Sequence, residues 1–278
     1  MKHPSTTLSL ALCVCFTLGI GASVSTNAAS VLDKYTLVRG PITVLNVEED
    51  LSGITYVPES GTLHAVLNDP PSILILNDDL QIAKTIPLTG FDDTEDIVHV
   101  DGERFAVVEE RRRQLCEFTL SADADRVNYA DAIKILIEPT DFANKGLEGV
   151  GYSAAKNQFF IIKEKKPRRI YAVSRTALGQ VDAEITHPWD IEAQSHGMKD
   201  LSSVTVDPKT GHLLVLSHDS SVIVETTTSG EKIGSFPLKA GHAGLKADIP
   251  QAEGLTFGKD GTLYVVSEPN MIYEFKRP

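Results

Sequence analysis

The chain has 278 residues, 42% of them apolar, and its 38 acidic against 26 basic side chains give a formal charge of −12. That surplus of acid argues against general nucleic-acid binding, which draws its affinity from cationic contacts to phosphate. The same surplus fits either plain solubility or the capture of divalent cations, and composition does not separate the two.

Residues 1–29 read as an export leader. Lys2 and His3 make a polar start, Leu8 to Gly21 is an apolar run without charge, and small residues lead into Asn27-Ala28-Ala29-Ser30, the order of a secretory signal. A cut is expected near Ala28 or Ala29. It would leave one domain over residues 30–278, periplasmic or secreted, with no stable membrane span. The alternative is an inner-membrane anchor at residues 8–21, a run short of the roughly 20 residues that a full span needs. Cys13 and Cys15 lie in that run without the small residue before them that a lipoprotein signal wants. Once the leader is gone, Cys116 is the only thiol. No internal disulfide can form, so the core alone must hold the domain, and the length suffices for one all-β domain.

Tyr35 to Asn46 is strand-like and has no unit of its own. After it, five segments open with a similar motif: Leu51-Ser52-Gly53-Ile54, Thr94-Glu95-Asp96-Ile97, Leu147-Glu148-Gly149-Val150, Leu201-Ser202-Ser203-Val204 and Ala252-Glu253-Gly254-Leu255. Their second positions are 43, 53, 54 and 51 residues apart. Each motif leads to a turn, such as Glu59-Ser60-Gly61 or Ala155-Lys156-Asn157, and then to an apolar run such as His64 to Leu67 or Phe159 to Ile162. Gly and Asn tolerate the positive φ of tight hairpins. Third strands are readable at Ile73 to Leu76, Ile170 to Val173 and Met271 to Phe275, and fourth strands at Ala83 to Leu88, Ile133 to Ile137 and Ile233 to Leu238. Four short strands per repeat of this length is the pattern of a propeller blade. The expected fold is all-β, a five-bladed β-propeller. The fifth unit runs out after its third strand, so the stretch at Tyr35 is expected to supply the missing outer strand and close the ring, hiding two open edges.

In such a ring the start of strand one and the end of strand two face the same end of the channel. One column is then Ser52, Glu95, Glu148, Ser202 and Glu253; the other is Asp69, Glu110, Glu164, His218 and Glu268. Carboxylates brought together repel and raise one another's pKa unless a cation joins them. Oxygen-rich clusters suit Ca²⁺, which takes 6–8 oxygen ligands; no cysteine and a single histidine, His218, fall in the two columns, which disfavours zinc or copper. Glu95, Glu148 and Glu253 are the expected metal ligands. Glu110, Glu164, Glu268, Asp69 and His218 are expected in an outer layer or as further ligands.

Beside the acids lies a basic patch: Arg111, Arg112 and Arg113 after Glu110, and Lys163, Lys165, Lys166, Arg168 and Arg169 around Glu164. Charge balance with those glutamates explains it; so does an anion site in which Arg111, Arg113, Lys165, Lys166, Arg168 and Arg169 engage phosphate or carboxylate. Long connections at Glu138 to Gly146, His187 to Lys199 and Lys239 to Gln251 are expected over the same face. Their Trp189, His196 and His242 could touch a ligand, but loop packing is the expected role of each, as Cys116 is expected to be structural.

The strings Gly90-Phe91-Asp92-Asp93-Thr94-Glu95, Asn144-Lys145-Gly146-Leu147-Glu148-Gly149, Lys163-Glu164-Lys165-Lys166-Pro167-Arg168-Arg169, Gln251-Ala252-Glu253-Gly254 and Ser267-Glu268-Pro269-Asn270 resemble the bacterial SdiA-regulated family, also called the YjiK/CarP family. The resemblance runs from about Tyr35 to Pro278. It implies a five-bladed propeller distantly related to NHL-repeat domains, exported or membrane-tethered, with a calcium site. Ser52 and Ser202 depart from the glutamate pattern, which implies an asymmetric site nearer blades two, three and five. Two functions are compatible with these residues. One is a monomeric, calcium-binding envelope module that holds a small anionic ligand or an envelope protein. The other is a calcium-dependent hydrolase of the phytase, phosphoesterase or lactonase kind, although no nucleophile elbow, His-Glu-x-x-His or phosphate loop is present.

Overall fold

The computed structural model describes residues 1, 29–139, 145–175 and 183–278; the expected leader, and its alternative as an anchor at 8–21, lie outside the described residues. The fold is a five-bladed β-propeller. Each blade is an antiparallel sheet built outward from an innermost strand: Leu51–Val57, Thr94–Asp101, Leu147–Ser153, Ser203–Val206 and Ala252–Phe257. Hairpin turns with left-handed residues, Gly61 at φ 71° and Asn157 at φ 48° among them, return the chain into the second strands. Among the described residues no helix is long and apolar enough to cross a membrane.

The ring closes as the sequence suggests. Thr36–Thr43 pairs antiparallel with Met271–Lys276 and completes blade five from the opposite end of the chain. Two features escape the pattern. Blade three has a four-residue outer strand, Ala183–Thr186, with little apolar content to announce it. Val127–Asn128 leaves blade two to pair in parallel with the outer strand of blade one, a connection that only the neighbouring blade's position can select.

Alternation along the strands buries one face of each blade against the next, and five apolar clusters result, one per blade interface. Cys116 is wholly buried and free. Burial and the nearby Glu109 push its thiol well above the usual range, so it is a core residue.

The third motif position explains how the acids can converge. A Cβ on Gly53 would stand 2.6 Å from the Cα of Asp96, one on Gly149 2.7 Å from the Cα of Ser203, and one on Gly254 2.8 Å from the Ser52 carbonyl. Glycine lets innermost strands of neighbouring blades touch backbone to backbone, which tightens the ring at the level of the motif acids. Gly53→Ala is therefore expected to destabilise the fold by about 1–3 kcal/mol through overpacking, measured by chemical denaturation. A change within experimental error would mean that the blades move apart freely.

Candidate metal centre

Each motif acid sits where its innermost strand breaks register. The ladder skips between Leu51 and Gly53, Thr94 and Asp96, Leu147 and Gly149, and Ala252 and Gly254. Ser52, Glu95, Glu148 and Glu253 are thus the extra residues of four β-bulges, a device that re-aims a side chain out of the regular pleat. Sequence periodicity locates the strands but carries no sign of the bulge.

The bulged acids meet in a cavity of about 270 Å³ at one end of the channel. Its wall contains Glu95, Glu148 and Glu253, as expected, together with Glu110, Glu164, Glu268 and His218 of the second column. Asp93 and Asp200 join them, and among the described residues Arg111 is the one lysine or arginine in the wall. One oxygen each from Asp93, Glu95 and Glu110 lie within 4.8 Å of one another, and so do ligand atoms of Asp200, His218 and Asp219. The first spacing matches oxygens on opposite sides of one Ca²⁺ at about 2.3–2.6 Å each.

The expected member Asp69 is not in this wall; Asn68 is. The backbone decides it. Glu110, Glu164 and Glu268 each donate their N–H to the carbonyl two residues before the facing motif acid: Asp93, Gly146 and Gln251, at 3.0, 3.2 and 3.0 Å. In blade one the residue that does so, to Asp50 at 3.4 Å, is Asn68. Asp69 is one step beyond and exposed. The end of the apolar run in blade one therefore marks the column one residue too late. Asn68 Nδ2 donates to Glu95 Oε1 at 3.2 Å, while its Oδ1 is buried without a hydrogen-bond partner. A neutral oxygen held this way fits a cation. If the cavity takes calcium, Asn68→Ala is expected to weaken its binding about 10-fold or more, and Asp69→Asn to leave it unchanged, both read by calorimetric titration.

The repeat holds a further column, two residues before each motif position: Asp50, Asp93, Gly146, Asp200 and Gln251. Gly146 is needed there because a Cβ would meet the Glu110 backbone, 2.7 Å from its carbonyl carbon. Its N–H donates to Glu110 Oε1 at 2.9 Å. Asp200 accepts from the Ser217 hydroxyl and from the Asp219 N–H. The periodic signal was present in the sequence as three aspartates at one repeat position.

Burial dominates the electrostatics. It pushes the Glu95 carboxyl up to about 8, with Asp93, Glu110 and Glu253 adding to the rise against the Asn68 hydrogen bond. Glu148 is raised well above the carboxylate range by burial, then by Glu95, Glu110, Glu164 and Glu253. Glu110 rises to about 7 through burial and its contact with Asp93. Glu268 also rises to about 7, through burial and then Glu253 and Asp50. His218 Nδ1 lies 3.1 Å from Glu253 Oε1, and that hydrogen bond raises the imidazole pKa.

Next to the bulged Glu95, Asp96 is 1% exposed. Its Oδ1 accepts from its neighbour Ile97 N–H at 2.8 Å, and its Oδ2 from Val150 N–H at 3.1 Å and Ser203 Oγ at 2.9 Å. One carboxylate thus ties blades two, three and four together.

The basic residues do not converge. Arg111 Nε pairs with Asp93 at 3.0 Å at the cavity wall. Arg113 is buried and pairs with Glu138 at 2.6 Å, where Lys163 also binds. Lys165 bridges Glu164 at 2.7 Å and Asp219 at 3.0 Å. Arg168 pairs with Glu192 at 2.9 Å, and with Lys165 and Lys166 it lines a separate cleft. Arg169 lies on the third strand opposite Lys163. Charge balance accounts for most of the patch, and a six-residue anion clamp is not assembled. Trp189 and His196 pack on the Gly230 turn of blade four, His196 Nε2 lying 2.8 Å from the Gly230 carbonyl oxygen. His242 stacks edge-on against Phe236. None of the three lines the acid cavity.

Residues 27–276 match the model of a family described as SdiA-regulated. Among solved structures, a glutaminyl cyclase from Myxococcus xanthus superimposes with a TM-score of 0.56 at 12% identity, covering 87% of this chain and 95% of that one. Regucalcin from Agrobacterium tumefaciens, a calcium-binding protein, gives 0.52 at 14% identity, covering 87% and 93%. A gluconolactonase from Xanthomonas campestris gives 0.50 at 11% identity, covering 90% and 97%. At these identities the likeness is one of fold.

Proposed function

The chain belongs to the SdiA-regulated family, and from that premise we propose that it is an exported calcium-binding module of the cell envelope. The bound cation orders the acid face for a small anionic ligand or an envelope protein. One observation carries the reading: among the described residues, eight carboxylates line a single cavity with only Arg111 and His218 as basic company. Such a surplus of buried negative charge is relieved by a divalent cation. The donors suit calcium: Asp93, Glu95 and Glu110 close to within 4.8 Å, Asn68 Oδ1 adds a neutral oxygen, and Glu148 and Glu253 stand beside them. Titration of calcium into chelator-stripped protein tests the reading. Saturable binding is expected, with magnesium weaker because it tolerates fewer carboxylates and demands stricter geometry. No heat and no thermal shift at millimolar calcium would remove the proposal.

A calcium-dependent hydrolase of phosphate esters or lactones is the second reading, and His218 is the observation that favours it. Its imidazole is oriented by Glu253, reaches the cavity wall, and its side chain is 37% exposed, as a general base requires. Calcium would supply Lewis acidity. A screen of such substrates with and without calcium decides: metal-dependent turnover that vanishes in His218→Ala establishes the enzyme, and none in wild type leaves the binding module.

A further inference from the structure

The segment leading into the ring-closing strand is seated in blade four with unusual care. Val31, Leu32 and Tyr35 are buried in the apolar cluster between blades four and five. Just ahead of them, Ser30 Oγ and Val31 N–H both donate to Glu225 Oε2, at 2.5 and 2.7 Å. Glu225 is wholly buried, and its Oε1 lies 2.6 Å from His212 Nδ1. Across the sheet Glu225 faces Leu214 and Gly234, which bring no charge. A Cβ on Gly234 would stand 2.6 Å from Ser30 Cβ, so glycine there makes room for this serine. Ala29 is exposed.

A buried carboxylate is expensive unless it is paired with charge. Among the described residues His212 is the only basic side chain paired with Glu225, and the other donors are the first two residues of the seated segment. Covalent geometry puts the nitrogen of Ser30 within about 6 Å of the same carboxylate oxygen. As a peptide nitrogen it is neutral; as a chain terminus it would be an ammonium.

We propose that the Ala29–Ser30 bond is the processing site and that Glu225 is the receptor for the new N-terminus. A signal peptidase of the export machinery, selective for small residues before the cut, adds water across the bond. The hydroxyl goes to the Ala29 carbonyl carbon, which leaves with the leader as a carboxylate. The hydrogen goes to the Ser30 nitrogen, which takes up a further proton at neutral pH. The ammonium then pairs with Glu225 and pins the segment that runs into Thr36–Thr43, the strand that closes the ring. The inference is independent of the cation site.

The test expresses the full chain in a secreting bacterial host and determines the first residue by intact mass and N-terminal sequencing. Ser30 is expected; any other start, or a retained leader, overturns the proposal. Thermal unfolding of the protein beginning at Ser30 is then compared with the same protein N-acetylated. Acetylation is expected to lower Tm by about 2–4 °C at pH 6.5, the shift that roughly 1 kcal/mol brings in a domain of this size. The sign follows from linkage. Pairing raises the amino pKa, so the stabilisation is present below the unfolded value of about 7.7–8.0 and is lost as pH rises through the higher folded one. Glu225→Gln is expected to abolish the difference; should that variant fail to fold, the acetylation comparison decides alone. Equal Tm for both forms at every pH overturns the proposal.

Discussion

Calcium added to chelated protein at pH 8 is expected to raise Tm by about 8–16 °C at a thousandfold excess over Kd, since binding of that kind contributes about 4 kcal/mol and each kcal/mol moves a domain of this size by about 2–4 °C. The size of the effect follows from the state of the chelated ring. Burial holds Glu95 at about 8, and Glu110 and Glu268 at about 7, above the usual carboxylate value of about 4.3. For an acid whose folded pKa is raised, the unfolded chain releases its proton first. Stability is therefore intact below the unfolded value and falls as pH rises toward the folded one, by up to about 1.4 kcal/mol per pH unit for each group. The chelated protein should lose stability between about pH 4.3 and 8, whereas calcium, which requires ionised ligands, should flatten or reverse that slope. Thermal melts at pH 5, 6.5 and 8 with and without calcium measure both. Parallel pH profiles in the two conditions would show that the ring carries no cation.

Glu148→Gln separates a cation ring from an ion-pair network through two shifts of opposite sign. Glu148 faces Glu95, Glu110, Glu164 and Glu253, and no basic group is paired with it among the described residues. Neutralising it removes repulsion without breaking an ion pair, so the chelated variant should melt higher than chelated wild type at pH 8. Loss of a ligand charge should at the same time weaken calcium about 100-fold or more, beyond what outer partners of a metal typically contribute. The calcium-loaded variant should accordingly melt lower than loaded wild type. A structural salt bridge would behave otherwise: its loss lowers both melting points together. Glu253→Gln is a useful contrast, because it also frees His218 from its hydrogen bond and lowers the imidazole pKa toward its ordinary value.

The repeat was legible because local chemistry repeats. Five motifs, five turns and five apolar runs stand in the same order, and each is a statement about a few consecutive residues: alternation makes a strand, Gly or Asn makes the hairpin. Blade count, ring closure by the stretch at Tyr35, and the presence of Glu95, Glu148 and Glu253 at one end followed from that order. The acid columns followed to within one residue. The end of the apolar second strand points to Asp69, whereas Asn68 holds the position because the blade's register says so.

Only the folded ring decided the rest. The bulges at Ser52, Glu95, Glu148 and Glu253 arise from pairing with a second strand, and one inserted residue changes which way a side chain points without altering composition. Asp93 and Asp200 enter the cavity because loops of different lengths end at the same backbone position. The cations of the patch were adjacent in sequence but fall to separate partners, Asp93, Glu138, Glu164 and Glu192, since neighbours along a turn leave it in different directions. Glu225 and Ser30 meet across 195 residues. Strand identity is local and so is written in the chain, whereas proximity around an axis depends on register and closure, which are set by contacts between distant residues.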